Sequence, residues 1–100
     1  MFYVYIITNY YATTFYVGMT GKLFNRMKQH RSKFYPKSFS AKYNVCKLVY
    51  FEEVDSFYAA LKRERQLKNW HRDWKYNLVK SVNPGFKDLF GKELQKREII

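Results

Sequence analysis

Two runs near the start of the chain decide the fold: Phe2-Tyr3-Val4-Tyr5-Ile6-Ile7-Thr8 and Phe15-Tyr16-Val17-Gly18-Met19. Both are rich in β-branched and aromatic residues, which suit a pleated surface. The residues between them, around Asn9 and Ala12-Thr13-Thr14, are small or polar. Two such runs joined by such a segment predict a β-hairpin.

Working outward, Leu23, Phe24 and Met27 recur at helical spacing over Lys22 to Arg31, with Thr20 or Gly21 as candidate N-cap. Ser32 to Asn44, with Pro36 and its serines, reads as a loop. Val45 to Glu52 is a third strand, and its almost continuous apolar run predicts a central place in the sheet. Asp55 or Ser56 then caps a helix from Phe57 to about His71, and a shorter helix spans Trp74 to Ser81 until Asn83-Pro84-Gly85 breaks it. The expected order is β-β-α-β-α-α, an α+β domain whose small mixed or antiparallel three-stranded sheet is flanked by helices. Residues 1–82 form the domain and residues 83–100 a partly docked tail, in which Phe86, Leu89 and Phe90 precede the charged run Lys92 to Glu98.

Across the 100 residues, 19 Lys and Arg face 8 Asp and Glu, a formal charge of +11. With 47% hydrophobic and 21% aromatic residues the chain is too apolar for a disordered basic tail. A surplus this large implies an anionic partner. Nucleic acid is the first candidate, because the basic residues are spread along the chain, whereas a membrane anchor concentrates them in one cluster. No run approaches the roughly 18 residues of a membrane span, and no leader opens the chain, so a cytoplasmic protein is expected. The single cysteine, Cys46, excludes an internal disulfide or a Cys-based zinc site.

Five positions stand out from a plain core-and-surface pattern when they are read together. On the second helix Phe57, Ala60, Leu61 and Leu67 form an apolar stripe with Glu64 near its middle. A carboxylate so placed must meet cations, hydrogen-bond donors or a metal, and a structural salt bridge is the commonest answer. On the first helix Arg26 and His30 stand four apart on one flank, which by itself suits a phosphate contact beside a hydrogen-bonded structural imidazole. Tyr5 and Tyr16, one per hairpin strand, are individually best read as packing residues. Together, however, these residue types supply what phosphodiester hydrolysis needs: a water-activating group, a cation for the developing charge and an acidic metal ligand.

In that order the residues resemble the GIY-YIG endonuclease superfamily, in particular small stand-alone domains similar to the nuclease domain of excinuclease C. Tyr3-Val4-Tyr5 and Tyr16-Val17-Gly18 stand for its two signatures, with 10 residues between Tyr5 and Tyr16. Leu23 to His30 resembles its arginine segment, Ala59 to Glu64 with Leu67-Lys68 its glutamate segment, and Asn83 to Leu89 its closing segment. Two departures stand out: Tyr3 replaces the first glycine, and valines replace both middle isoleucines.

The resemblance implies a metal-dependent DNA endonuclease of the repair or recombination type. Glu64 would ligate one Mg2+ or Mn2+, Tyr5 would orient or deprotonate the attacking water, and Tyr16 would hydrogen-bond in the same cluster. Arg26 would stabilise the pentacovalent transition state, and His30 would assist proton transfer or position Tyr5. The family's late asparagine falls on Asn83 by the closing motif or on Asn77 by the usual separation. Lys22, Lys28, Arg31, Lys62, Lys68 and Arg72 would hold the nucleic-acid backbone. The expected partner is DNA, branched or damaged in the structure-selective case, with RNA and a protein partner left open. The alternative is a module that binds nucleic acid without cleaving it, through basic residues and exposed Trp70, Trp74 and Tyr76.

Overall fold

The computed structural model describes residues 1–32 and 47–91. Their elements run β1 (Phe2–Thr8), β2 (Phe15–Thr20), α1 (Leu23–Ser32), β3 (Lys47–Val54), α2 (Phe57–Asn69) and α3 (Arg72–Val82). The sheet is wholly antiparallel, in the order β2-β1-β3. The expected loop, together with Val45 and Cys46 at the start of the third strand and the charged run from Lys92, lies outside the described residues.

The hairpin closes through its turn. Asn9 Oδ1 accepts from the backbone N–H groups of Thr13 and Thr14 at 2.8 and 3.1 Å, and Thr8 Oγ1 donates to Thr14 O at 2.8 Å. An asparagine that caps its own turn lets Ala12 adopt a left-handed φ of 55°. Every residue of β1 after Phe2 is buried, so β1, not β3, is the central strand. The apolar run of β3 has another cause. The register slips between Ile6 and Ile7, which pair with Tyr50 and Leu48, and Val49 is the extra residue of a bulge. Val49 and Tyr50 therefore both enter one layer, while Leu48 enters the other.

Strand alternation sorts β1 between two cores. Tyr3, Tyr5 and Ile7 pack with Leu23 and Met27 of α1 and with Leu48. On the opposite face Val4, Ile6 and Val17 pack with Ala60 and Leu67 of α2 and Val79 of α3. Full burial of side chains such as Leu23, Met27 and Leu67 contributes about 1.5–3 kcal/mol each, which fixes the helices to the sheet.

The helix ends follow their caps. Ser56 Oγ accepts from Ala59 N–H at 3.2 Å, so Ser56 rather than Asp55 opens α2. α2 ends at Asn69, and His71 instead becomes the N-cap of α3, which begins two residues before Trp74. Neither Thr20 nor Gly21 is the cap of α1. The ladder starts at Lys22 O, which accepts from Arg26 N–H, while Thr20 Oγ1 accepts from Lys22 N–H.

Residues 83–90 lie along β3. Leu89 N–H donates to Leu48 O at 2.8 Å, Leu48 N–H donates to Asp88 Oδ1 at 3.3 Å, and Phe90 stacks on Phe24 at 5.0 Å. This covers part of an edge that would otherwise expose unpaired backbone groups.

Candidate active site

The candidate site is built around Gly18. Tyr5 and Gly18 are cross-strand partners, and the Tyr5 ring lies over the glycine. A Cβ at position 18 would sit 2.4 Å from Tyr5 Oη, 2.6 Å from its Cζ and 3.1 Å from Cε1 of Tyr16. Only a residue without a side chain lets the two phenol rings occupy this part of the sheet. Tyr5 is 1% exposed, whereas Tyr16 is half-buried on the edge strand.

α1 brings the cation. Leu23 and Met27 are anchored in the core beneath Tyr5, which leaves Arg26 exposed on the flank of the same helix. α2 brings the carboxylate. Ala60 and Leu67 seat on the opposite face of the sheet, and Glu64, between them on the helical stripe, is held with its side chain only 14% exposed. Phe57, expected in that stripe, is half exposed and rests edge-on against Phe2 at 5.8 Å.

The Tyr5 phenol registers the other three groups. Burial pushes its pKa above the ordinary 10 and Tyr16 adds to the rise, Arg26 pulls it down, and Glu64 raises it again. Tyr16 of β2, Arg26 of α1 and Glu64 of α2 thus lie close enough to Tyr5 of β1 for their charges to bear on its phenol. At neutral pH the phenol keeps its proton and can donate a hydrogen bond.

Glu64 has the ion pair expected of a carboxylate on an apolar stripe: Lys68 Nζ lies 3.5 Å from Oε1, one turn further along α2. Lys68 is half exposed, so the pair is solvent-screened and holds the carboxylate weakly. Among the described residues no group of three or more His, Cys, Asp and Glu could cage a metal. The donor set is one carboxylate, which suits a small hard cation whose remaining positions are filled by water and phosphate oxygens.

The other expected residues are more scattered. His30 lies on α1 one turn beyond Arg26, but its side chain and that of Arg31 lie outside the described part. Asn83 is not brought to the tyrosines. Its Nδ2 donates to Val49 O and Lys87 O at 3.0 and 2.9 Å, and its Oδ1 accepts from Lys87 N–H at 3.1 Å, so the buried amide joins α3 to β3 and the following turn. Asn77 is exposed on α3. Lys22, Lys28, Lys62, Lys68 and Arg72 are exposed. Trp74 and Tyr76 are exposed as well, but Trp70 is half-buried beneath Arg63, whose guanidinium carbon lies 5.4 Å from the ring centre.

One polar cluster escapes a reading of the sequence. Arg63 grips Glu52 through Nε at 3.0 and 3.1 Å and through a terminal nitrogen at 2.8 Å, and Tyr50 donates to the same carboxylate. Tyr50 and Glu52, two apart on β3, share a face, which was the available signal; that α2 sets Arg63 above them was not legible.

Comparison with known proteins gives the family. The family model described as the GIY-YIG catalytic domain matches residues 1–77. A UPF0213 protein of Syntrophus aciditrophicus (strain SB) is 38% identical over 71 residues, covering 71% of this chain and 80% of that protein. No solved structure gives a significant match. Tyr3, at the position of the first signature's glycine, is a core residue packed edge-on against Phe51, in the same core as Tyr5. On the match over residues 1–77, and with both signature tyrosines seated at Gly18, the chain belongs to the GIY-YIG family of nuclease domains.

Proposed function

We propose that the protein is a metal-dependent endonuclease that hydrolyses phosphodiester bonds in DNA, acting on branched or damaged duplexes in repair or recombination. The observation that supports this reading is the seating of both phenols, Tyr5 and Tyr16, at Gly18, with Arg26 of α1 and Glu64 of α2 near enough for their charges to bear on Tyr5. A purely electrostatic binder has no need of a carboxylate held at the margin of its core.

In this reading Tyr5, protonated and fixed over Gly18, orients the attacking water, and Tyr16 completes the hydrogen-bonding surface beside it. Arg26, exposed at the rim, meets the phosphate on which negative charge develops. His30 assists proton transfer from the next turn of α1. Glu64 would hold a single Mg2+ or Mn2+, which when bound polarises the scissile phosphate and stabilises the leaving oxygen.

The test is nicking of supercoiled plasmid and of branched oligonucleotides by the purified protein in Mg2+. Glu64→Ala is expected to abolish cleavage while DNA affinity measured in chelator persists. Cleavage by the variant at the wild-type rate would overturn the mechanism, and tight binding with no turnover in any divalent metal would support the binding module instead.

A further inference from the structure

A second group of cations lies where the hairpin turn meets the start of α3. Thr13, Thr14 and Phe15 on one side and Arg72 and Lys75 on the other line a pocket of about 260 Å3. Arg72 reaches across it, a terminal guanidinium nitrogen donating to Ala12 O at 3.5 Å. That single long contact leaves most of the five guanidinium N–H groups for another acceptor. Thr13 Oγ1 accepts from Asn9 Nδ2 at 2.6 Å, so its own hydroxyl proton can still be donated.

Among the described residues no carboxylate pairs with the cations here, Arg72 and Lys75; Arg63 pairs with Glu52 and Lys68 with Glu64. Lys75 feels this directly: burial, and then the Lys68 ammonium, hold its pKa below the ordinary lysine value. Two crowded cations beside hydroxyl donors in a concave site form a receptor for a small anion with several acceptor oxygens. Lys68 also ties the pocket to the candidate active site, since it pairs with Glu64 on one side and repels Lys75 on the other.

We propose that the notch formed by Thr13, Thr14, Arg72 and Lys75 binds a backbone phosphate of the nucleic-acid substrate, at a position removed from the phosphate that is cut. The inference rests on the nuclease reading and adds to it a positioning subsite, which fixes the strand's register relative to Tyr5 and Glu64. Positioning phosphates carry no sequence information. A nuclease held this way selects by the path of the backbone, which is the property that would favour branched over regular duplexes.

The test is binding of a fluorescent branched DNA oligonucleotide by the full chain in chelator, over a series of salt concentrations. Arg72→Ala with Lys75→Ala is expected to weaken binding about tenfold and to make the salt dependence shallower by about 1 to 2 in logarithmic slope. Lys80→Ala with Lys87→Ala removes the same charge elsewhere and is expected to change affinity much less. Equal weakening by both pairs would reduce the notch to general basic surface and overturn the proposal. Should the first pair melt early, because Arg72 also braces the hairpin turn, Lys75→Glu alone must weaken binding more than Lys80→Glu, and parity between them overturns the proposal equally. Failure of the wild-type chain to bind DNA at all would instead sink the nucleic-acid reading on which the notch depends.

Discussion

The phenol of Tyr5 lies directly over Gly18, its partner on the neighbouring strand, where even one methyl group would stand 2.4 Å from the hydroxyl oxygen. This relationship gives the second signature's glycine a physical task. It is the recess into which the first signature's tyrosine fits.

Gly18→Ala therefore forces a ring that is 1% exposed to move within a packed core. Overpacking of this kind costs about 1–3 kcal/mol. The expected result is a fall in stability of that size by urea denaturation, together with loss of DNA nicking at temperatures where the variant is still folded. An alanine variant with wild-type stability and activity would show that the ring can shift freely.

Tyr5→Phe keeps the ring over Gly18 and removes only the hydroxyl. Stability is expected to fall by about 1–2 kcal/mol at most, because one buried polar group is lost while the apolar packing remains. Cleavage in Mg2+ is expected to fall by about 100-fold or more if the hydroxyl handles the attacking water. Single-turnover nicking rates, read beside thermal melts, separate the two effects.

The Glu52–Arg63 pair predicts how stability depends on pH. Burial raises the Glu52 carboxyl, but the hydrogen bonds from Arg63 and Tyr50 outweigh it and hold its pKa below the ordinary 4.5. A group depressed on folding contributes stability above its unfolded pKa and loses it as pH falls through the folded value. Unfolding free energy should thus decline below about pH 4.5, and Glu52→Gln should flatten that decline while costing about 1–3 kcal/mol at neutral pH. Tyr50, pushed up to about 12 by burial and by Glu52, has the opposite sign: its contribution is lost as pH rises from 10 toward 12. Urea titrations across pH check both limbs.

Asn83→Ala would leave buried Val49 O, and the part-buried Lys87 O and N–H, without their amide partner. Destabilisation of about 1–3 kcal/mol is expected, and residual nicking at low temperature should match the wild type. A large drop in turnover without a drop in melting temperature would return Asn83 to the chemistry. The same measurement on exposed Asn77 completes the comparison.

Much of this protein was legible without its structure, for identifiable reasons. The hairpin declares itself because β1 and β2 are rich in β-branched and aromatic residues and are joined by a turn that Asn9 organises within six residues. Glu64 stands out because helical periodicity is a local rule, and a carboxylate on a stripe that includes Ala60 and Leu67 breaks it visibly. Tyr5, Tyr16 and Arg26 could be named as a set, though their meeting depends on α1 docking beneath β1.

By itself, then, the sequence determined the order of elements, most of the positions they bury and the residue types available for chemistry, since periodicity and local composition are written in neighbouring residues. Tertiary structure alone decided that β1 and not β3 lies at the centre, because strand order is set by pairing between distant segments, and a bulge at Val49 can imitate a central strand's composition. It likewise decided that Gly18 is the seat of Tyr5, that Arg63 answers Glu52, and that Arg72 and Lys75 face the hairpin turn. Each of these joins residues far apart in the chain or on different strands, and no local pattern records which cation, ring or turn the folded chain will bring opposite another.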